Sequence, residues 1–519
     1  MIVFDIQAVQ SIEHGERGIA RYTGELARAM ERNHSDLVDV FAYNDAMPFV
    51  PRLEQLGINA KLRSFSELRG DCVDVVHINS PFEQASVRVL NTPVVAARTV
   101  VTCYDLIPYR FPDKYLLDQA SKAWYQSRLG LLVAADAIVT DSESAADDVV
   151  SMLGVDPRTV TSIGAGTAEQ FVPPTDALAV RMAKLRREFS ALLPGFILFP
   201  AGAEWRKNLD SAVEAYSRLD PELRERHQLV VASKMADGQR ERFLEGCLKR
   251  GVADNVVLTG YVTDANLVRL YQSSELVMFP SLYEGFGLPV LEARRCGARV
   301  ITSNVSSLPE VMPEPAALFN PYDVDDMAER LKAALTNPDV IARLDAATDP
   351  GFTWDLASDR LAEVYRVVRQ RPRITHASVR RRVAVAAPLG SEAAQRTLEL
   401  VDDLSQHLDV TVFVQTDASK LAAEQKIAVQ NLRVLPAHHA AQEYDLVVYT
   451  LGDEAIDHAI AAILPVVPGC VMLWPGQNAG DLSEVAAALV EEFGSPDEPQ
   501  ALDLAAMATA IDQRAGSDG

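Results

Sequence analysis

Phe279–Ala293 reads FPSLYEGFGLPVLEA and sets two glutamates, Glu284 and Glu292, eight residues apart around a turn bracketed by glycines. The apolar run Leu276–Pro280 has the length and bounds of a buried parallel strand, and Leu288–Ala293 continues with helix formers. Pro289 stands where the first turn of a helix tolerates proline, so the expected order is strand, turn, helix. Gly285 and Gly287 allow positive φ and close approach of a ligand to the backbone, and the unpaired amides at the helix start attract an anion such as a diphosphate. Glu284 in the turn and Glu292 in the helix can accept hydrogen bonds from hydroxyls at two points of one ligand.

Gly260–Val311 around this stretch closely resembles the C-terminal domain of glycosyltransferase family 4, whose members have the GT-B fold and transfer sugars with retention of configuration. Further segments match the family in order. Arg206-Lys207-Asn208 resembles its phosphate-binding pair, and Phe352-Thr353-Trp354 followed by a helix resembles its closing segment. Arg17-Gly18-Ile19-Ala20-Arg21-Tyr22 resembles the glycine loop after the first strand. The resemblance covers roughly residues 1 to 370 and implies two Rossmann-like α/β domains facing a cleft.

A chain of 519 residues is too long for one core and suggests three units. A net charge of −23 argues against a nucleic-acid partner, which needs a basic face. From Val383 onward there are 21 acidic and 5 basic side chains, against 51 and 44 before it, so the first two units are only mildly acidic. Cys72, Cys103, Cys247, Cys296 and Cys470 are scattered, never in a C-x-x-C pair, and read as buried thiols in a reducing cytoplasm. The start, MIVFDIQAV, reads as a first strand rather than a signal peptide, and no stretch is long and apolar enough to span a bilayer. A cytoplasmic location follows, with peripheral association at the inner face of the membrane left open.

Strand-like runs alternate with helical periods twice, which predicts an N-terminal, acceptor-binding domain over 1–185 and a nucleotide-sugar donor domain over 186–370. The expected strands are Met1–Ile6, Asp39–Tyr43, Val73–Ile78, Thr99–Cys103, Ala137–Thr140 and Val160–Ile163, then Phe196–Pro200, Leu229–Ala232, Val256–Leu258, Leu276–Phe279 and Arg299–Thr302. Ligands of such sheets bind beyond the carboxyl ends of the strands, where His77-Ile78-Asn79, Tyr104-Asp105 and Asp141-Ser142 fall. In the resembled family the terminal helix, here after Trp354, crosses back onto the N-terminal domain. Beyond a polar linker a third α/β series over 383–495 faintly resembles half of another glycosyltransferase without its glycine loop, and reads as non-catalytic. Its acidity suits a basic protein partner, self-association through it is the other contact expected, and 496–519 reads as frayed.

The resemblance assigns Arg206, Lys207 and Glu284 to the reacting centre. An arginine fork and a lysine point charge at a helix start suit a diphosphate, with Asn208 as the N-cap. Gly285, Phe286, Gly287 and Leu288 would offer backbone to the donor, Glu292 its carboxylate to the ribose, and Tyr261 and Val262 contacts to the base. These charges and amides stand in for a metal, so no metal or other cofactor is expected. Asp323-Val324-Asp325 reads as N-capping charge rather than a metal site. On the acceptor side stand Arg17, Gly18, Tyr22 and Tyr104. Tyr104 takes the place of the family's histidine, as in a branch that makes surface polysaccharides, and Asp105 is a candidate for holding donor sugar or acceptor hydroxyl. Ala20, where the family has glycine, reaches positive φ less easily and weakens the loop's acceptor role. The expectation is a retaining hexosyltransferase, mannose from GDP-mannose to a polysaccharide or lipid-linked glycan. The alternative is a non-catalytic, nucleotide-sugar-binding assembly subunit.

Overall fold

The computed structural model describes residues 1–11, 18–68, 71–82, 96–200, 202, 204–347 and 350–370, and from the C-terminal region 382–386, 401, 409–414, 428–431, 446–450 and 470–472. Three all-parallel sheets account for the strands described. The first comprises β1 (Ile2–Asp5), β2 (Val40–Tyr43), β3 (Leu62–Ser64), β4 (Val73–Ile78), β5 (Ala96–Cys103), β6 (Ala137–Thr140) and β7 (Val160–Ser162), in the order 3-2-1-4-5-6-7. The second comprises β8 (Ile197–Phe199), β9 (Leu229–Val231), β10 (Val256–Leu258), β11 (Leu276–Phe279), β12 (Val300–Ser303) and β13 (Leu318–Phe319), in the order 10-9-8-11-12-13. Both are doubly wound, with the order reversing between β1 and β4 and between β8 and β11. The chain therefore has the GT-B architecture.

The strands are short apolar runs because helices cover both faces, so no alternation with polar residues is needed. Leu276, Val277, Met278 and Phe279 are all fully buried, and β11 pairs with β8 on one side and β12 on the other. One apolar core runs without interruption from the first sheet into the second, while a separate cluster including Val3, Val101, Ile138 and Leu129 fills the other face of the first sheet.

The helix Trp354–Gln370 lies on the first domain against the helix Ile19–Asn33. Asn33 donates to Asp355 and Ser358, Arg32 pairs with Asp355, and the buried Tyr365 hydroxyl shares a 2.6 Å hydrogen bond with His77 Nδ1. His77 is in turn 2.8 Å from Thr102, and burial holds its pKa down at about 3. This neutral histidine thus belongs to a buried network, not to the cleft.

The third sheet has β14 (Arg382–Ala386), β15 (Asp409–Val414), β16 (Ala428–Asn431), β17 (Leu446–Thr450) and β18 (Cys470–Met472), ordered 16-15-14-17-18. Its order repeats the 3-2-1-4-5 start of the first sheet. The polar linker, the strand tips at Leu451-Gly452 and Trp474, and 496–519 lie outside the described residues.

Three expectations need correction. Cys72 is exposed, whereas Cys103, Cys247 and Cys296 are buried free thiols. Ala20 needs no positive φ: Gly18, at φ 54°, precedes the helix Ile19–Asn33, and Ala20 is a buried residue of its first turn. Asn208 stands before the helix Leu209–Ser217 at φ 59° but does not cap it, its amide donating instead to Pro321 O. Asp323 does cap, accepting from the amides of Asp325 and Asp326. No helix among the described residues is long and apolar enough to cross a membrane.

Candidate active site

At the order reversal of the second sheet, the chain leaves β8 toward the turn Trp205–Lys207 and leaves β11 toward Gly285–Gly287, so two sequence-distant loops meet. The Leu282 amide donates to Arg206 O at 2.7 Å and joins them. Glu284 is buried and gripped from both sides. Arg206 Nη1 donates to its Oε2 and Lys207 Nζ to its Oε1, each at 2.6 Å. Burial pushes this carboxyl up, but Lys207 and Arg206 outweigh it and hold it below the usual range. Arg206 also reaches Tyr283 O at 3.1 Å and pairs with Glu204 at 3.0 Å. Ser306 Oγ accepts from the Glu284 amide and Ser307 Oγ donates to its carbonyl, which fixes the turn.

The two glycines serve different needs. Gly287 has φ 103° and immediately precedes the helix Leu288–Arg295. Gly285 is not in the left-handed region; a Cβ there would lie 2.6 Å from the carbonyl oxygen of Tyr104 and 3.3 Å from Asp105 Cβ. The close approach seen at Gly285 is that of the first domain. Phe286 is buried with its ring edge-on to Phe352 at 5.0 Å, so only its backbone can serve a donor.

The first domain docks on this loop at several points. Ser142 Oγ donates to Gly285 O at 2.6 Å, and the amides of Glu143 and Ser144 donate to the Glu310 carboxylate at 2.9 and 2.8 Å. Tyr283 bonds Asp148, and the Arg110 guanidinium lies 4.8 Å from the Tyr283 ring centroid. Asp105, half-buried against Gly285, accepts from the Ile107 amide at 2.9 Å, and loss of solvent raises its carboxyl. Asp141 is raised further by burial and by Asp105, and its Oδ1 has no hydrogen-bond partner among the described residues. Two carboxyls with raised pKa thus lie on the first domain's side of the junction, opposite Glu284, whose pKa is lowered.

The remaining expected residues divide. Glu292 is buried, and Arg21 of the first domain donates to its Oε1 at 3.3 Å. Tyr261 is exposed and Val262 half-buried, three and two residues before Asp264, which Arg21 also pairs with. Tyr22 is in the core: its hydroxyl donates to Gly164 O at 2.6 Å and its ring packs edge-on to Tyr104 and Trp354. It is therefore not available to an acceptor. Tyr104 is buried as well, with its hydroxyl 3.2 Å from Thr23 Oγ1. Arg17 lies outside the described residues. A cavity of about 130 Å³ lined by Arg299, Met312, Leu344 and Asp345 lies at the far end of the Leu288–Arg295 helix and is no part of this site.

Sequence reading missed Arg21, Asp148, Glu310 and the two serines. Arg21 lies inside the glycine-loop motif; Asp148 and Glu310 depend on the docking of two domains, for which no local spacing exists, and Ser306 and Ser307 meet Glu284 from 22 and 23 residues further along the same domain.

Comparison with known proteins bears on the family and the fold. The family model described as Glycosyltransferase Family 4 matches residues 17–168, and that described as Glycosyl transferases group 1 matches 185–349. The chain is 33% identical over 391 residues to the serotype-specific mannosyltransferase WbdA of Escherichia coli, covering 68% of this chain and 46% of that protein. It is 26% identical over 280 residues to the O-antigen chain mannosyltransferase B of Escherichia coli, covering 52% of this chain and 71% of the relative. Among solved structures, HepE from Anabaena in complex with UDP and glucose matches with a TM-score of 0.52 at 15% identity, over 70% of this chain and 99% of that one, which shows the shared fold. The chain spans less than half of WbdA's length. With one model on each of the two domains that meet at Gly285, the chain belongs to the family 4, group 1 glycosyltransferases of GT-B fold.

Proposed function

We propose that this chain is a retaining, metal-independent mannosyltransferase that moves mannose from GDP-mannose onto a polysaccharide or lipid-linked glycan. The observation that carries the reading is Glu284 held between Arg206 and Lys207 at the order reversal of the second sheet, facing Asp105 of the first domain. Mannose as the sugar, and a glycan as the acceptor, are supported by the names of the two Escherichia coli relatives.

In the reaction the bond from the anomeric carbon to the phosphate oxygen breaks and the acceptor oxygen bonds to that carbon on the same face. The acceptor's proton passes to the leaving phosphate, so a protein base is not required. Catalysis then rests chiefly on stabilising the charge that grows on the diphosphate. Arg206 and Lys207 supply two cations, and the amides at the start of the Leu288–Arg295 helix supply dipoles. As the diphosphate draws these cations away from Glu284, that carboxylate is released to accept from a sugar hydroxyl. Asp105, on the facing loop of the first domain, is the group that would hold the donor sugar or the acceptor hydroxyl.

A panel of nucleotide sugars tests this by nucleotide release, with the anomeric configuration of the product read by NMR. GDP-mannose should be used fastest, and the product should be α-linked. Absence of release from every donor, or a β-linked product from GDP-mannose, would overturn it.

A further inference from the structure

Arg21 projects from the first turns of the Ile19–Asn33 helix in the acceptor-side domain, yet both of its ion pairs are with the donor-side domain. Its Nη2 pairs with Asp264 and its Nη1 stands 3.3 Å from Glu292 Oε1, with the arginine side chain 19% exposed and that of Glu292 8%. A planar fork joining two carboxylates across a domain junction is a fixed geometry, not a mobile surface charge.

The surroundings of Glu292 give that fork a task. The groups facing it are Asp264 and the buried Tyr271 from the Asp264–Ser273 helix, Cys296 one turn along from its own helix, and Arg21 from the other domain. Asp264 repels a second negative charge, and neither the phenol nor the thiol supplies a positive one. Arg21 is the cation in this set. Burial pushes the Glu292 carboxyl up to about 7 even with Arg21 opposing it, so this group sits at the edge of ionisation near neutrality.

We propose that Arg21 is a positioning residue of the donor site, engaging Oε1 of Glu292 across the domain junction so that Oε2 is presented, as part of a carboxylate, to the two ribose hydroxyls of a nucleoside diphosphate. The inference rests on the donor-site reading above. It also couples recognition to closure: when the domains part, Arg21 withdraws, Glu292 is left beside Asp264, and the ribose loses a charged acceptor.

The sign of the effect follows from the charges. Removing an opposite charge at this distance raises a carboxyl's pKa, so the pH at which Glu292 becomes charged moves up. The test uses the full chain with GDP and UDP as probes, which share the same ribose, and their 2′,3′-dideoxy forms as controls, by calorimetry between pH 6 and 9. In the parent, affinity for GDP or UDP should rise as pH passes about 7. In Arg21→Gln that rise should be displaced upward by about one pH unit, making binding roughly five- to tenfold weaker at and below pH 7 and nearly equal at pH 9. Arg21→Lys should restore most of the loss, and the dideoxy nucleotides should not distinguish parent from variant.

A pH profile for Arg21→Gln that superimposes on the parent's overturns the proposal, as does an equal loss for ribose and dideoxyribose nucleotides in a variant with native circular dichroism. If the parent itself binds neither GDP nor UDP, the donor-site reading fails and takes this inference with it. Parent binding with no displacement in the variant defeats this inference alone.

Discussion

Gly285→Ala isolates the docking of the two domains from everything else in the site. The added methyl would sit 2.6 Å from a backbone oxygen, that of Tyr104, at the end of β5. Restoring ordinary contact needs roughly 0.8 Å of separation, and a main-chain oxygen anchored by a strand has less freedom to give than a side-chain tip. Overpacking of this kind costs about 1–3 kcal/mol. Because the opposing atoms belong to different domains, the cost falls on closure and not on the fold of either sheet. The closure equilibrium should shift by about 5–150-fold. The separation would also stretch the 2.6 Å bond from Ser142 to Gly285 O. Turnover should fall by that factor, thermal melting should change little, and solution scattering with nucleotide bound should give a larger radius than the parent's. Nucleotide affinity should fall less than turnover, since the cations and the Gly287 helix start all lie on the second domain. Parent-like turnover with an unchanged radius would refute the idea that Gly285 exists for the approach of Tyr104.

Lys207→Ala should lower turnover by several orders of magnitude, whereas Glu292→Ala should chiefly weaken donor binding; steady-state kinetics with small, equal effects from both would contradict these roles. Tyr365→Phe leaves His77 Nδ1 without its 2.6 Å partner and should cost about 1–3 kcal/mol in denaturant unfolding, with nucleotide binding unchanged. His77, with a folded pKa of about 3 against 6.5, contributes stability that is full above 6.5 and lost as pH falls toward 3. Acid unfolding of His77→Gln should therefore be shallower over that window, and an unchanged slope would show that the buried histidine does not carry it. Deletion after Arg373 should leave donor hydrolysis largely intact while changing oligomeric state or solubility; loss of all hydrolysis in a truncated chain with native circular dichroism would mean the tail completes the site.

The strands were legible because each is a short, uninterrupted apolar run between turn residues, as a doubly covered parallel sheet requires. Leu62–Ser64, Leu318–Phe319 and Ala428–Asn431 were not, being edge strands whose two to four residues carry too little apolar pattern. The meeting of Arg206, Lys207 and Glu284 was legible because the two cations are adjacent in sequence and the carboxylate sits in a glycine turn. What local reading cannot supply is how two domains meet. Gly285 looked like room for a ligand and is room for Tyr104. Tyr22 looked like an acceptor contact, but the return of the Trp354 helix encloses it. Ala20 looked like a defect because a positive φ was expected at its position, whereas it lies in the first turn of a helix that begins at Ile19.

If Arg206 and Lys207, with Glu284 between them, form the diphosphate site of a metal-independent transferase, both the cations and the absence of any need for metal can be read in one assay. That assay is GDP release from GDP-mannose in excess EDTA, comparing the parent with the Arg206→Ala/Lys207→Ala double variant. The parent should release GDP steadily in EDTA, and a double variant that is folded by circular dichroism should release almost none. Release abolished by EDTA and restored by magnesium, or equal release by parent and double variant, would contradict this assignment.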